Sequence, residues 1–156
     1  MKRISKTAAF LPAVIWMCVI YALSDKPAAR SSIQSESLAL RLVRIATRFS
    51  SMTEVERERL SLILEPYIRD IAHMVEYAVL FILLYMAVRL FVSGRYTVIL
   101  SCLAVCFIYA CTDEIHQYFV PGRAFELIDI GLDTLGAVIA AAVLLIILKY
   151  QKSVSY

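Results

Sequence analysis

Four long apolar runs constrain this chain more than any other feature of its sequence. They cover residues 7–23, 71–92, 96–112 and 127–148 of a chain of 156 residues. Hydrophobic residues make up 61% of the chain, whereas soluble domains contain about 45–50%. A helix crosses the hydrocarbon core of a bilayer with about 20 apolar residues. We therefore predict a single-domain, all-helical polytopic membrane protein with four transmembrane helices, the first being a retained anchor and not a cleaved signal peptide.

The hydrophilic connection 24–70 is predicted to contain two short amphipathic helices. The first, over residues 35–49, carries apolar side chains at three- and four-residue spacing: Leu38, Leu42, Ile45 and Phe49. The second is opened by the capping-box pattern of Thr53 and Glu56 and is expected to stop before Pro66. The pattern leaves two arrangements open, since the pair either lies on the membrane face or packs as a lid over the spans.

The distribution of basic residues predicts the orientation of the spans. Lysine and arginine mark the N-terminal tail, the loop between the second and third runs, and the C-terminal tail: Lys2, Arg3, Lys6, Arg89, Arg95, Lys149 and Lys152. Because cytoplasmic segments carry the excess of Lys and Arg, both termini are expected in the cytoplasm. The connection 24–70 and the turn after the third run then lie on the outer face of the cytoplasmic membrane.

The remaining polar groups are predicted to converge near the outer leaflet. They follow helical spacing in three groups: Arg69, His73 and Glu76; Asp113, His116 and Gln117; and Asp129, Asp133 and Gly136. Residues three and four apart share a helix face, so three helices can turn polar stripes to one recess. Charges within a bilayer cost a few kcal/mol each, which favours a functional reason for their presence.

Each group also has a purely structural interpretation. His73 and Glu76 would hydrogen bond to each other, and Asp113 with Glu114 would face interfacial water. Asp129 would cap a helix, with Asp133 favouring its positive end, and Arg123 would extend to lipid phosphates. Pro121 and Gly122 are predicted to form a type II turn. The four cysteines are interpreted as small buried residues, and nothing in the composition suggests nucleic-acid binding.

Three sequence blocks resemble the VanZ-like family of small bacterial membrane proteins. They are Ser24-Asp25-Lys26-Pro27 with Ser31 and Ser35, then Arg69-x-x-x-His73-x-x-Glu76-Tyr77-x-x-Leu80, then Asp113-Glu114-x-His116-Gln117-x-Phe119-x-Pro121-Gly122-Arg123 with Asp129, Asp133 and Gly136. The family usually has Gln where Lys26 stands. The resemblance implies four spans and a link to the cell envelope, since the founding member is associated with resistance to the lipoglycopeptide teicoplanin. It names no reaction.

We therefore predict an outer-leaflet polar site that acts on a membrane lipid or a lipid-linked, phosphorylated envelope precursor. The candidate catalytic residues are His73, Glu76, Asp113, His116 and Asp133, and the candidate substrate-binding residues are Ser24, Arg69, Tyr77, Glu114, Gln117, Arg123 and Asp129. An imidazole titrates near working pH and suits general acid–base catalysis. Two alternatives stay open: a version assisted by a divalent metal on His and carboxylate ligands, and a non-enzymatic binder of an amphiphilic ligand or antibiotic.

Overall fold

The structure, a computed structural model, describes the backbone of residues 6–154 and the side chains of residues 7–151. A short 3₁₀ helix, Lys6–Phe10, leads into the first of five α-helices. These are α1 (Leu11–Ser24), α2 (Ala28–Ala46), α3 (Glu54–Val88), α4 (Arg95–Gln117) and α5 (Leu127–Val154). No strand occurs in the described part of the chain, and the all-helical prediction is confirmed.

Four helical segments are long and apolar enough to cross a membrane, as the apolar runs predict. They are Thr7–Ser24, Glu54–Val88, Arg95–Gln117 and Leu127–Gln151. Most of their large apolar side chains are exposed, because a bilayer and not a protein core covers them. The termini at residues 1–5 and 155–156, with their share of the basic residues, lie outside the described backbone.

Helix α3 departs from the sequence prediction because it passes through Pro66 without ending. The predicted amphipathic helix and the second span are one helix of 35 residues. Pro66 has no N–H, so the carbonyl of Leu62 loses its helical partner. Leu62 lies on the exposed side of α3, where that carbonyl can be solvated. At about 1.5 Å per residue α3 is about 52 Å long, whereas the hydrocarbon core is about 30 Å thick. Its first half is therefore in excess of the length that a helix needs to cross the hydrocarbon core.

Helix α2 packs antiparallel to this first half of α3. It covers residues 28–46 instead of the predicted 35–49 and begins directly after Pro27. At its far end Arg57 of α3 donates to the Thr47 side chain (3.1 Å) and carbonyl (3.3 Å), and nearer the membrane Ser35 hydrogen bonds to Glu65. We call residues 28–49, which comprise α2 and the turn after it, together with residues 54–70 of α3 the hairpin.

The predicted capping box opens α3 and is complete. The backbone N–H of Glu56 donates to the Thr53 hydroxyl (3.3 Å), and the Glu56 carboxylate accepts from the Thr53 backbone N–H (2.7 Å). Two of the donors left free at a helix start are satisfied in this way. The capping box therefore fixes where the chain turns back from α2 toward the membrane.

The spans pack around a small core, and α3 and α5 approach each other closely within it. Gly136 of α5 lies so near the α3 backbone that an added Cβ would be 2.0 Å from the Met74 carbonyl oxygen. Only a residue without a side chain fits there, as is common where membrane helices pack closely. Cys102 and Cys106 lie in this core as predicted, whereas Cys18 is exposed and Cys111 is half-buried. The interpretation that all four cysteines are buried was wrong for these last two.

The turn between α4 and α5 has the predicted type II geometry. Gly122 has φ +78°, and the Arg123 N–H donates to the Val120 carbonyl at 3.1 Å. The Pro121 carbonyl in turn accepts from the N–H of Ala28 at 3.2 Å, at the start of α2. The turn therefore ties the base of the hairpin to the ends of α4 and α5.

Candidate functional site

Two recesses meet beneath the base of the hairpin. The first, about 210 Å³, is lined by Leu23, Ser24, Ser31, Gln34, Ser35, Leu38, Ile68, Arg69, Ala72, His73, Glu76 and Arg123. The second, about 140 Å³, is lined by Ala28, Ser31, Ser32, Arg69, His73, Gln117, Gly122, Arg123, Ala124, Glu126 and Asp129. Four residues line both: Ser31, Arg69, His73 and Arg123. Seven of the residues proposed from the sequence, Ser24, Arg69, His73, Glu76, Gln117, Arg123 and Asp129, therefore lie on these walls.

The two recesses differ in character. The wall of the first is mostly apolar and includes Leu23, Leu38 and Ile68, whereas the wall of the second is mostly polar. Helical periodicity explains the division, because α2 and α3 turn different faces toward each side of their contact. The arrangement offers an apolar compartment joined to a polar one, with one imidazole and two guanidinium groups where they meet.

His73 is supported from behind by a buried carboxylate. Its Nδ1 lies 3.3 Å from Oδ1 of Asp133, and the Asp133 side chain has no exposed surface. The angles are poor for a hydrogen bond, and neither atom has a hydrogen-bond partner among the described residues. The pair joins α3 to α5 and forms an ion pair when His73 is protonated. The predicted structural pairing of His73 with Glu76 is not what the structure shows, since His73 turns to Asp133 on another helix.

A chain of hydrogen bonds connects the end of α1 to the turn after α4. The Ser24 hydroxyl donates to Oδ2 of Asp113 (2.8 Å), which also accepts from Nε2 of Gln117 (3.1 Å). Oε1 of Gln117 accepts from Nη1 of Arg123 (2.6 Å), and Nε of Arg123 donates to the Lys26 carbonyl (3.1 Å). Each member fixes the next, so the Arg123 guanidinium is held in place at the junction of the recesses.

The acidic residues of α4 are buried and do not face water. Asp113 is 4% exposed and Glu114 has no exposed surface, so the interfacial interpretation of this pair was wrong. Oε2 of Glu114 accepts from the Glu126 N–H (2.9 Å) beside the start of α5, where a helix dipole favours negative charge. Asp129 is not an N-cap, because α5 already begins at Leu127.

His116 lies apart from His73. Its ring stacks on Tyr21 with centroids 4.5 Å apart, and its Nε2 lies 3.3 Å from Oδ1 of Asp25. It lines neither recess and faces the end of α1. The spacing of Asp113, His116 and Gln117 predicts one shared face. Asp113 and Gln117 do take part in the hydrogen-bond chain, whereas His116 lies beside it and contacts Tyr21 and Asp25 instead.

Tyr77 also lies outside the recess walls. It is fully buried in the core, with its ring centroid 6.1 Å from that of Tyr109, and its hydroxyl has no hydrogen-bond partner among the described residues. Its proposed contact with substrate stays a prediction.

The sequence analysis left open a reaction assisted by a divalent metal. Among the described residues, no group of three or more His, Cys, Asp or Glu side chains is placed to hold a metal ion.

Sequence reasoning missed two residues that shape the site, Trp16 and Gln34. Trp16 donates its indole N–H to the Glu76 carbonyl at 2.8 Å and so ties α1 to α3 beside the recess. Gln34 lines the first recess and accepts from Nζ of Lys26 at 2.9 Å. Pairing across such sequence distances leaves no local signal. The Ser31 and Ser35 steps of the first block are the exception, since both residues line the first recess.

A comparison with known protein families finds a match over most of the chain. The family model VanZ/LLP1 matches residues 9–148, a range that reaches every helix contributing to the recesses. No curated protein and no solved structure matches the chain. The matched range contains all three blocks of polar residues that the sequence singles out. The chain therefore belongs to the VanZ-like family.

Proposed function

We propose that this protein holds the head group of a lipid-linked or phosphorylated cell-envelope molecule at the outer leaflet of the bacterial cytoplasmic membrane, and acts on it by acid–base chemistry. The main support for this proposal is that an apolar recess and a polar recess share four lining residues, Ser31, Arg69, His73 and Arg123. An amphiphile needs both kinds of wall, with its head group at their junction.

The two arginines support an anionic head group. Guanidinium groups bind phosphate and carboxylate oxygens with fixed geometry. Two nitrogens of Arg123 are engaged by Gln117 and the Lys26 carbonyl, and a guanidinium carries five N–H donors in all. Arg123 is therefore positioned before the ligand arrives and keeps donors for it. Arg69 lines both recesses and is exposed, so it is placed for the same charge from the α3 side.

His73 is the best placed acid–base group. Its Nδ1 faces the Asp133 carboxylate at 3.3 Å, so Nε2 is the nitrogen that meets a ligand in the recess. A buried carboxylate behind an imidazole orients the ring and stabilises its protonated form. Glu76 lines the same recess as a second group able to share a proton. His116, beside Asp25, is not given a chemical role in this proposal.

A direct binding test uses a simple phosphate amphiphile. The protein in lipid nanodiscs is titrated with dodecyl phosphate, and with dodecanol as the uncharged probe. Arg123→Gln is expected to weaken dodecyl phosphate binding about tenfold, because a hydrogen bond to a charged group contributes about 1.5–3 kcal/mol. The control is Arg59→Gln, which removes an exposed arginine of α3 outside both recesses. Equal affinity in Arg123→Gln and Arg59→Gln would overturn the head-group assignment.

The apolar compartment also supports a second function, binding of an amphiphilic envelope ligand or antibiotic without turnover. Isosteric variants of His73 and Asp133 distinguish acid–base chemistry from binding without turnover. The family resemblance suggests teicoplanin protection in a sensitive bacterium as the measurement. Loss of protection to the level of empty vector in His73→Gln and Asp133→Asn, with normal membrane insertion, indicates acid–base chemistry. Partial protection indicates binding alone, and full protection in both variants argues against either role for this pair.

A further inference from the structure

The hairpin carries an apolar stripe that no described residue covers. On α2 and the turn after it the stripe consists of Leu38, Leu42, Ile45 and Phe49, all exposed, with Ile45 at 67% and Phe49 at 92%. The three residues within α2 are spaced i, i+4 and i+7 and therefore share one face. That face is distinct from the one packed on α3, which is marked by the buried Ala39 and Val43. Large apolar surfaces in water are rare without a binding partner.

The same side of α3 is also apolar. Leu60, Leu64, Tyr67 and Ile71 have the same spacing as the four residues of the α2 side, and Tyr67 and Ile71 are exposed. Viewed from the N-terminus of each helix, the apolar face is rotated in the same direction from the residues that pack against the other helix, which are Ala39 and Val43 on α2 and Ser61 on α3. Because the two helices are antiparallel, both faces point the same way, and the stripe continues to the exposed Val75 within the span. The surface that lipid covers on the span therefore runs without a break onto the hairpin.

Basic side chains border the stripe. Arg41 of α2 and Arg48 in the turn after it are exposed, and by the helical periodicity Arg41 lies roughly a quarter turn from the stripe. The Arg48 guanidinium lies 4.7 Å from the centroid of the Phe49 ring. An apolar face with a basic border is what a helix needs at an anionic membrane surface, since arginines reach phosphates while the apolar face enters the acyl boundary.

We infer that α3 bends at Pro66, where a helix hydrogen bond is missing, and that the hairpin thereby docks side-on against the anionic leaflet surface from which α3 emerges. Leu38, Leu42, Ile45 and Phe49 enter the boundary between head groups and acyl chains, and Arg41 and Arg48 contact lipid phosphates. Leu38 belongs both to the stripe and to the wall of the first recess. Docking therefore brings the apolar mouth of that recess to the level of the lipid head groups. The inference does not depend on what chemistry the recess performs.

Tryptophan quenching tests the docking directly. Phe49→Trp is reconstituted in vesicles of phosphatidylcholine and phosphatidylglycerol whose acyl chains are brominated near the head group. Trp16 is the only native tryptophan, so the parent protein supplies the background. The emission that Phe49→Trp adds is expected to be mostly lost. Val55→Trp is the matched control, because Val55 lies at the same end of the hairpin but on its opposite side and is 60% exposed. The emission that this control adds should persist.

Charge and dilution complete the test. Arg41→Gln with Arg48→Gln, in the Phe49→Trp background, should lower the equilibrium constant for docking about fivefold per arginine. The docking is overturned if the emission added by Phe49→Trp is no more quenched than that added by Val55→Trp. It is also overturned if quenching of the Phe49→Trp emission falls as the protein-to-lipid ratio rises, since a second copy of the chain would then cover the stripe. If quenching in vesicles of pure phosphatidylcholine equals that in vesicles containing phosphatidylglycerol, the proposed contact of Arg41 and Arg48 with anionic lipid is overturned.

Discussion

At the level of single residues, His73 and Asp133 show how two ionisable groups are accommodated at the contact between two apolar helices. Each comes from a different helix, and each lies where its charge would be costly alone. Nδ1 of His73 lies 3.3 Å from Oδ1 of Asp133, and the Asp133 side chain is wholly buried. Each group is therefore the nearest group of opposite charge for the other when both are ionised.

Removing one member of this pair should destabilise the fold more than removing both charges. His73→Ala leaves the buried Asp133 carboxylate without its counter-charge, and the expected loss is about 3 kcal/mol. Adding Asp133→Asn removes the stranded charge and should restore part of that loss. Thermal unfolding in one detergent, followed by circular dichroism, compares the two proteins. A double variant no more stable than His73→Ala would contradict the pairing.

Gly136 gives a second prediction at this scale. Alanine there would place its Cβ 2.0 Å from the Met74 carbonyl oxygen, so α3 and α5 must move apart. The expected cost is about 1–3 kcal/mol, as for other overpacked sites. Gly131→Ala is the matched control on the same helix, since nothing lies within 4 Å of its added Cβ. Equal unfolding temperatures for the two variants would show that the close approach is not rigid.

At the level of elements, the hairpin depends on where α3 begins. The capping box at Thr53 and Glu56 defines that start. The first turn of α3 is joined to the end of α2 and the turn after it by the Arg44–Glu54 ion pair (2.9 Å) and by the hydrogen bonds of Arg57 to Thr47. The ion pair is half exposed and contributes little by itself.

Thr53→Ala should loosen the first turn of α3 without disturbing the spans. Loss of a helix cap costs about 1 kcal/mol, so amide exchange of Glu56 and Arg57, whose N–H groups donate to Thr53, is expected to accelerate about fivefold, while exchange in α5 stays unchanged. Ser50→Ala is the control, because Ser50 accepts one N–H before the helix, from Met52, but forms no cap. Unaltered exchange at Glu56 and Arg57 would show that packing on α2 alone fixes the start of α3.

At the level of the whole molecule, the orientation predicted from the basic residues has a direct test. In a cysteine-free background, Glu58→Cys on the hairpin should react with a membrane-impermeant maleimide in intact cells. Arg89→Cys, in the loop after α3, should react only after the membrane is permeabilised. Both positions are exposed, so accessibility in the protein itself does not limit either reaction. The opposite labelling pattern would place the recess on the cytoplasmic face.

The local patterns of the sequence predicted the spans and the start of α3, but not every helix boundary and not which side chains pair. Apolar run length predicted four spans, and Thr53 with Glu56 predicted the start of α3. The end predicted at Pro66 was wrong, because one missing N–H is tolerated where the opposite carbonyl is exposed and α2 packs alongside. Helical spacing also placed His116 with Asp113, although the ring turns to Asp25 and Tyr21 instead.

The sequence alone determined that polar side chains of three helices would meet near one end of the spans. Charges are rare in apolar runs, and their spacing follows from the helix, so both facts can be read along the chain. Only the tertiary structure decided which groups pair. His73 with Asp133, Ser24 with Asp113, and Arg123 with Gln117 depend on how helices are rotated and offset against one another. Contacts such as the Gly136–Met74 approach set that rotation, and no local pattern encodes it.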